Sequence, residues 1–211
     1  MNIHELNIYI GRPNSDEMDS NLIRKMYLLR AEIFNGRNQW GLPLKDGREI
    51  DDFDTLDTVY VICEDRYSDQ VIGCWRLLPT TQDYMLKSVF SELLPTSCNV
   101  QSPDVWELSR FAIRKGTGKQ SHFLASNITR EMFAAVRLFA EHHRINRFVT
   151  VTSPSLYRLL TSCGLNMPRI DNLEESERRR LGRTSCYIEI DECFDSFVGV
   201  GECRSSLKYS M

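Results

Sequence analysis

Long apolar runs are missing from this chain. No stretch approaches the roughly 20 residues that a helix needs to cross a bilayer. Met1-Asn2-Ile3-His4-Glu5 has no basic region leading into an apolar core, so no export signal is visible. Cys-x-x-Cys is missing too. The seven cysteines (63, 74, 98, 163, 186, 193, 203) are odd in number, and several sit in apolar strand-like runs, where buried free thiols are found. These absences predict a reducing cytoplasm, no disulfide framework and no zinc site. His142 and His143 do not change that, because neighbours on a helix point about 100° apart and do not chelate one ion together. No serine or cysteine stands in a recognisable nucleophile elbow, which argues against a covalent acyl-enzyme. A pI of about 5.9 and no basic motif of a known class argue against nucleic acid.

What is present is an ordinary globular composition, 42% hydrophobic and 26% charged, over 211 residues. That length fits one domain whose core is stable without staples. The expected division is residues 1–58, a helix and a long loop, and 59–211, a sheet core. The net charge of −3 hides an asymmetry. Between Lys45 and Asp57 stand Asp46, Glu49, Asp51, Asp52, Asp54 and Asp57. From Phe111 to Leu160 the bases are Arg114, Lys115, Lys119, Arg130, Arg137, Arg144, Arg147 and Arg158, against Glu131 and Glu141. An acidic segment suits a cationic ligand, and a basic half suits an acidic partner or a phosphate.

The stretch Asp104–Arg114 has the alternation of a strand, yet it carries Glu107 and Ser109 on one face and Arg110 on the other. Charges in a central strand must be paired or solvated. Arg76 repeats the anomaly within the apolar run Val71–Leu78. Before it, Ser20–Phe34 has helical spacing, with Gly36 as its expected stop. The loop 35–58 is rich in Gly and Asp, with Phe34, Trp40 and Phe53 in or beside it. Loops of that length are often functional. Val59–Cys63 and Val71–Leu78 form an expected hairpin. A Gly-x-Gly at 116–118 precedes an expected helix from Ser121 to His143, then a strand at 148–152, which predicts a β-α-β unit. A short helix Leu156–Cys163, a basic turn Arg178–Arg183 and strands at 185–190 and 194–200 complete the reading. The order predicts an α/β fold of the N-acetyltransferase type: a mixed sheet flanked by helices, with splayed central strands.

Four blocks resemble one family. Arg30-x3-Phe34-x5-Trp40, Glu49-Ile50-Asp51-x2-Asp54, Gly73-Cys74-Trp75-Arg76-Leu77 and Trp106-Glu107-Leu108-Ser109-Arg110-Phe111 are similar, in order and spacing, to the acyl-homoserine lactone synthases. These are the LuxI-type autoinducer synthases of bacterial quorum sensing, and the resemblance spans about residues 22–165. It implies transfer of an acyl group from acyl carrier protein to the amine of S-adenosylmethionine, then lactone closure with loss of 5′-methylthioadenosine. No metal or redox cofactor is implied.

The resemblance assigns Arg30, Phe34, Trp40, Asp51 and Asp54 to S-adenosylmethionine, and Glu107, Arg110 and Arg76 to catalysis, with Glu107 as the base. Carboxylates suit ammonium and sulfonium charges, and aromatic faces suit a sulfonium or adenine. Phe111, Met132, Thr150 and Thr152 are expected on the acyl-chain side, either threonine being a donor to a β-oxygen. Arg114, Lys115, Lys119, Arg144 and Arg147 are expected to steer an acidic carrier protein. An acyl-CoA-dependent N-acyltransferase acting on another amine is the alternative. It would leave the acidic, aromatic loop without a purpose.

Overall fold

The computed structural model describes residues 6–114, 121–199 and 206–210, with side chains of the long helix described from residue 127. The elements are β1 (Leu6–Gly11), α1 (Ser20–Ala31), β2 (Leu44–Lys45), β3 (Arg48–Glu49), β4 (Val59–Asp65), β5 (Gln70–Pro79), α2 (Met85–Ser88), β6 (Val105–Ile113), α3 (Ser121–His143), β7 (Arg147–Thr152), α4 (Pro154–Ser162), α5 (Glu175–Leu181), β8 (Thr184–Glu189), α6 (Glu192–Val198) and β9 (Ser206–Ser210). Strands hydrogen-bond in the order β8-β7-β6-β5-β4-β1-β9, a mixed sheet flanked by helices. The chain forms two units, residues 1–76, 110–136 and 201–211, and residues 77–109 and 137–200.

In the first unit, β1 runs antiparallel to β4 and parallel to β9. Neither β1 nor β9 was expected from the sequence, because each is a short run whose pairing partner lies far along the chain. The Asp19 carboxylate accepts from the Leu22 N–H at 2.7 Å and caps α1. Leu22, Ile23, Met26 and Leu29 then bury one face against Tyr60, Ile62 and Cys74. Gly36 does not stop this helix. It lacks the left-handed φ that a glycine cap needs, and the chain continues as a π-helical turn over Glu32–Arg37. The wider turn buries Phe34 while the Trp40 N–H bonds back to the Phe34 carbonyl at 2.9 Å.

The loop beyond is also more regular than its composition suggests. β2 and β3 form a miniature hairpin, Leu44↔Glu49 and Lys45↔Arg48, turned by Asp46 and Gly47 at φ +50° and +76°. Asp-Gly is the pair that such a two-residue turn requires.

In the second unit, β6 and β7 are parallel, and their registered pairing runs from Val105↔Arg147 to Leu108↔Thr150. Two expectations fail here. The basic turn at 178–183 is mostly helix α5, held by a capping box between Glu174 and Glu177 and stopped by Gly182 at φ +68°. The strand expected at 194–200 is helix α6, where the Asp191 carboxylate accepts from the Cys193 and Phe194 N–H groups and Gly199 ends the helix. In both places the capping residues outweigh a weak strand-like or turn-like pattern.

Candidate active site

Six charged side chains of the first unit interlock. Arg30 projects from α1, Arg76 from β5 and Arg110 from β6; Glu49 ends β3, and Asp51 and Asp54 follow it. The Arg30 guanidinium donates through Nε to Glu49 and through its two terminal nitrogens to Asp54, at 2.7 and 2.9 Å. Arg76 donates to Asp51 and, at 2.9 Å, to Asp54. Arg110 donates to Asp51 at 2.6 Å and through Nε to Glu49 at 3.2 Å. Tyr60 adds a hydroxyl to Asp54 at 2.7 Å, and the Asp51 N–H adds a backbone donor. Three guanidiniums therefore meet three carboxylates. This balance is why two arginines survive with no exposed surface at all.

Glu49 is the residue of this cluster to which the sequence assigned no role, although it opens the block Glu49-Ile50-Asp51-x2-Asp54. The signal that separates it from the other acids is position: it closes the β3 side of the hairpin. The network is not uniformly buried. Asp54 and Glu49 are sealed, whereas the Asp51 side chain is 21% exposed and that of Arg110 11%. These two, bonded to each other, are the members that reach solvent. Beside them Phe34 lies under the Arg110 guanidinium at 5.7 Å, and the half-exposed Trp40 ring stacks on Phe34 at 4.8 Å with an interplanar angle of 1°. Phe53 lies 5.6 Å from Arg76. Arg110 itself has φ +57°, a left-handed conformation that costs a non-glycine residue roughly 1–2 kcal/mol. Its ion pairs offset that strain.

Burial alone would raise the Asp54 carboxyl, but Arg30, by charge and hydrogen bond, and then Arg76 outweigh it and hold it well below the usual carboxylate range. Burial alone would lower Arg30, but Asp54 and Glu49 raise it. Burial and the Asp54 charge push the Tyr60 phenol up, so it stays a donor. Since the folded Asp54 value lies below the unfolded one, its stabilisation is complete above about pH 4 and is lost as pH falls through the folded value. Thermal melts are expected to be flat near neutrality and to decline below about pH 4. The decline should be shallower for Asp54→Asn, measured from that variant's own neutral baseline.

Glu107 lies in the second unit, 1% exposed. One carboxylate oxygen accepts from the Met85 N–H at 2.8 Å and the other from the Leu86 N–H at 2.7 Å, so Glu107 caps the start of α2. Both oxygens of the carboxylate are thus engaged by backbone N–H groups. Thr150 is 8% exposed and donates its hydroxyl proton to the Leu108 carbonyl at 2.8 Å. A hydroxyl has one proton, so Thr150 has none left for a β-oxygen. Thr150→Val is expected to cost about 1 kcal/mol in chemical denaturation. Its preference between 3-oxo and unsubstituted acyl donors, measured by mass spectrometry, should not change.

Of the remaining expected residues, Thr152 ends β7 in the second unit and is half-buried. Phe111 and Met132 belong to the first unit: Phe111 packs on Trp75 at 4.8 Å, and Met132 is buried under Gly73. Arg114 is held by Glu32 and Gln70. In the second unit Arg144 is exposed, and Arg147 pairs with Glu189 at 3.3 Å over the Tyr187 ring. Lys115, Lys119 and the glycines at 116–118 lie outside the described residues. Burial drives up the Cys63 thiol and pushes Cys74 and Cys186 up to about 12, which makes them poor nucleophiles. No helix among the described residues is long and apolar enough to cross a membrane.

Residues 14–187 match the family model described as autoinducer synthase. The acyl-homoserine-lactone synthase of Aliivibrio fischeri is 40% identical over 181 residues, 85% of this chain and 88% of that protein. Among solved structures, the AHL synthase LasI superposes with a TM-score of 0.78 at 33% identity, covering 93% of this chain and 95% of that one. The coenzyme A-dependent synthase BjaI, solved with S-adenosylmethionine and isopentyl-CoA, superposes with a TM-score of 0.78 at 21% identity, covering 96% and 92%. At that identity the likeness establishes a shared fold.

Proposed function

We propose a reaction from one premise: this chain belongs to the autoinducer synthases and is an acyl-homoserine-lactone synthase, an acyltransferase. In this reading the amine donor is S-adenosylmethionine and the acyl donor is a thioester on acyl carrier protein. The amine nitrogen attacks the thioester carbonyl, an amide forms and the thiol leaves. The methionine carboxylate attacks its own γ-carbon, the C–S⁺ bond breaks, and neutral 5′-methylthioadenosine departs.

The observation that carries this reading is the solvent-facing pair Asp51–Arg110 beside the Phe34–Trp40 stack. A zwitterionic amino acid presents an ammonium and a carboxylate side by side, which Asp51 and Arg110 match in sign. The exposed face of Trp40 suits the adenine or the sulfonium. Arg30, Arg76, Glu49 and Asp54 then support the site from beneath rather than meeting the ligand.

The proton of the attacking amine does not require Glu107. An α-amino group titrates near 8, so roughly a tenth is already neutral at pH 7. In this reading water takes the proton, and Glu107 fixes the turn that begins α2. The exposed Arg144 supports an acidic carrier protein as donor. Coenzyme A is the second reading, since its phosphates suit the same arginines and the BjaI structure contains a coenzyme A thioester.

The test offers purified enzyme and S-adenosylmethionine a matched set of acyl chains, each on carrier protein and on coenzyme A. The carrier-protein reading expects the higher kcat/KM on the carrier-bound chains. Lactone formed only from the coenzyme A thioesters would establish the second reading.

A further inference from the structure

Glu49 shares with Asp51 a grip on two arginines but differs from it in burial. It is 1% exposed and holds two arginines at once, Arg30 from helix α1 through one oxygen and Arg110 from strand β6 through the other. Its own backbone is fixed by pairing with Leu44 in the two-residue hairpin. Such a hold helps to fix Arg110, whose left-handed backbone is one that residues other than glycine rarely adopt. Among the groups that hold its guanidinium are Glu49 on Nε, Asp51 on a terminal nitrogen and the Phe34 ring at 5.7 Å. Of these, Asp51 reaches solvent and would itself be drawn upon when the ligand binds. Phe34 is buried but uncharged, and Glu49 is the carboxylate sealed beneath.

We propose that Glu49 is a positioning residue for S-adenosylmethionine: it holds Arg110 in its strained conformation, so that the Asp51–Arg110 pair is presented to the ligand's amino-acid group before binding. This rests on the functional reading above. Glu49 acts through Arg110 and does not touch the ligand. Its loss therefore changes recognition of the amine substrate and leaves recognition of the acyl donor alone.

The experiment compares wild-type enzyme with Glu49→Gln, which keeps shape and loses charge. Glu49→Asp serves as a second variant, keeping the charge but shortening the reach so that it holds one arginine and not both. KM is measured separately for S-adenosylmethionine and for the acyl thioester, alongside Tm. Loss of a charge-assisted bond to Arg110 is expected to raise the S-adenosylmethionine KM by about tenfold or more in both variants. The acyl-donor KM should stay within about twofold. If Glu49→Gln does not fold, Glu49→Asp supplies the same comparison. A lower Tm and lower activity with both KM values unchanged is what a merely structural residue gives, and would overturn the proposal. A wild-type enzyme that releases no methylthioadenosine from S-adenosylmethionine would instead defeat the functional reading itself.

Discussion

Arg30→Met is expected to lower the free energy of unfolding by about 3–5 kcal/mol and to remove most activity with it. Methionine nearly fills the arginine's volume, so the loss does not come from a cavity. It comes from charge. Arg30 has no exposed surface and is the shared partner of Glu49 and Asp54, whose side chains are 2% and 0% exposed. Without it, the two sealed carboxylates keep Arg76, Arg110, Tyr60 and the Asp51 N–H among their partners, but lose the cation they share. A domain of this kind has about 5–15 kcal/mol in total, so the change removes a large share of it. Urea denaturation gives the number directly. A loss under about 1 kcal/mol would mean that the interior is more hydrated than the burial of these groups implies.

The second large effect belongs to Glu107. Glu107→Ala strips the acceptors from two backbone N–H groups, those of Met85 and Leu86, in a place where water does not replace them. At about 1–3 kcal/mol for each unsatisfied donor, the expected cost is roughly 2–6 kcal/mol. Glu107→Gln separates holding from proton transfer. Its amide oxygen keeps one of the two N–H groups, so folded enzyme is recovered with reduced stability and reduced kcat. The pH dependence of kcat/KM should keep its wild-type shape, because the acidic limb follows the substrate amine near pH 8. Loss of that limb in a variant with wild-type Tm would return Glu107 to the role of general base.

How far these features were legible in the sequence differs from residue to residue. Arg76, Glu107 and Arg110 announced themselves, because a charge inside an apolar strand has to be answered by something. Asp51 and Asp54 stood out as part of an acidic segment and of a block shared with the family, but which of them faces solvent depends on a hairpin fold spread over 44–54. That fold was foreshadowed by Asp46-Gly47. Glu49 stood in the same block, but its chemistry alone gave it no role, since a glutamate in a polar loop is ordinarily a solvated one. The engagement of Glu107 by the 84–86 turn was out of reach for another reason: backbone N–H groups carry no sequence signature, so a capping carboxylate 21 residues away reads the same as a catalytic one. The helices at 175–181 and 192–198 differ from the basic turn and the strand expected there, because the capping residues Glu174, Asp191, Gly182 and Gly199 outweigh the run of arginines in one and the apolar pattern in the other. The N-terminal strand β1 and the strand β9 draw their stability from neighbours far along the chain, which local pattern does not encode.

The most direct measurement is the mass balance of a single reaction. Purified enzyme, S-adenosylmethionine and one acyl carrier thioester are mixed, and acyl-homoserine lactone, 5′-methylthioadenosine and free thiol are followed together by mass spectrometry. The account predicts that all three appear in equal amounts, and that Asp51→Asn slows all three through a raised S-adenosylmethionine KM. Acyl transfer to an amine without methylthioadenosine release, for any thioester offered, would contradict it.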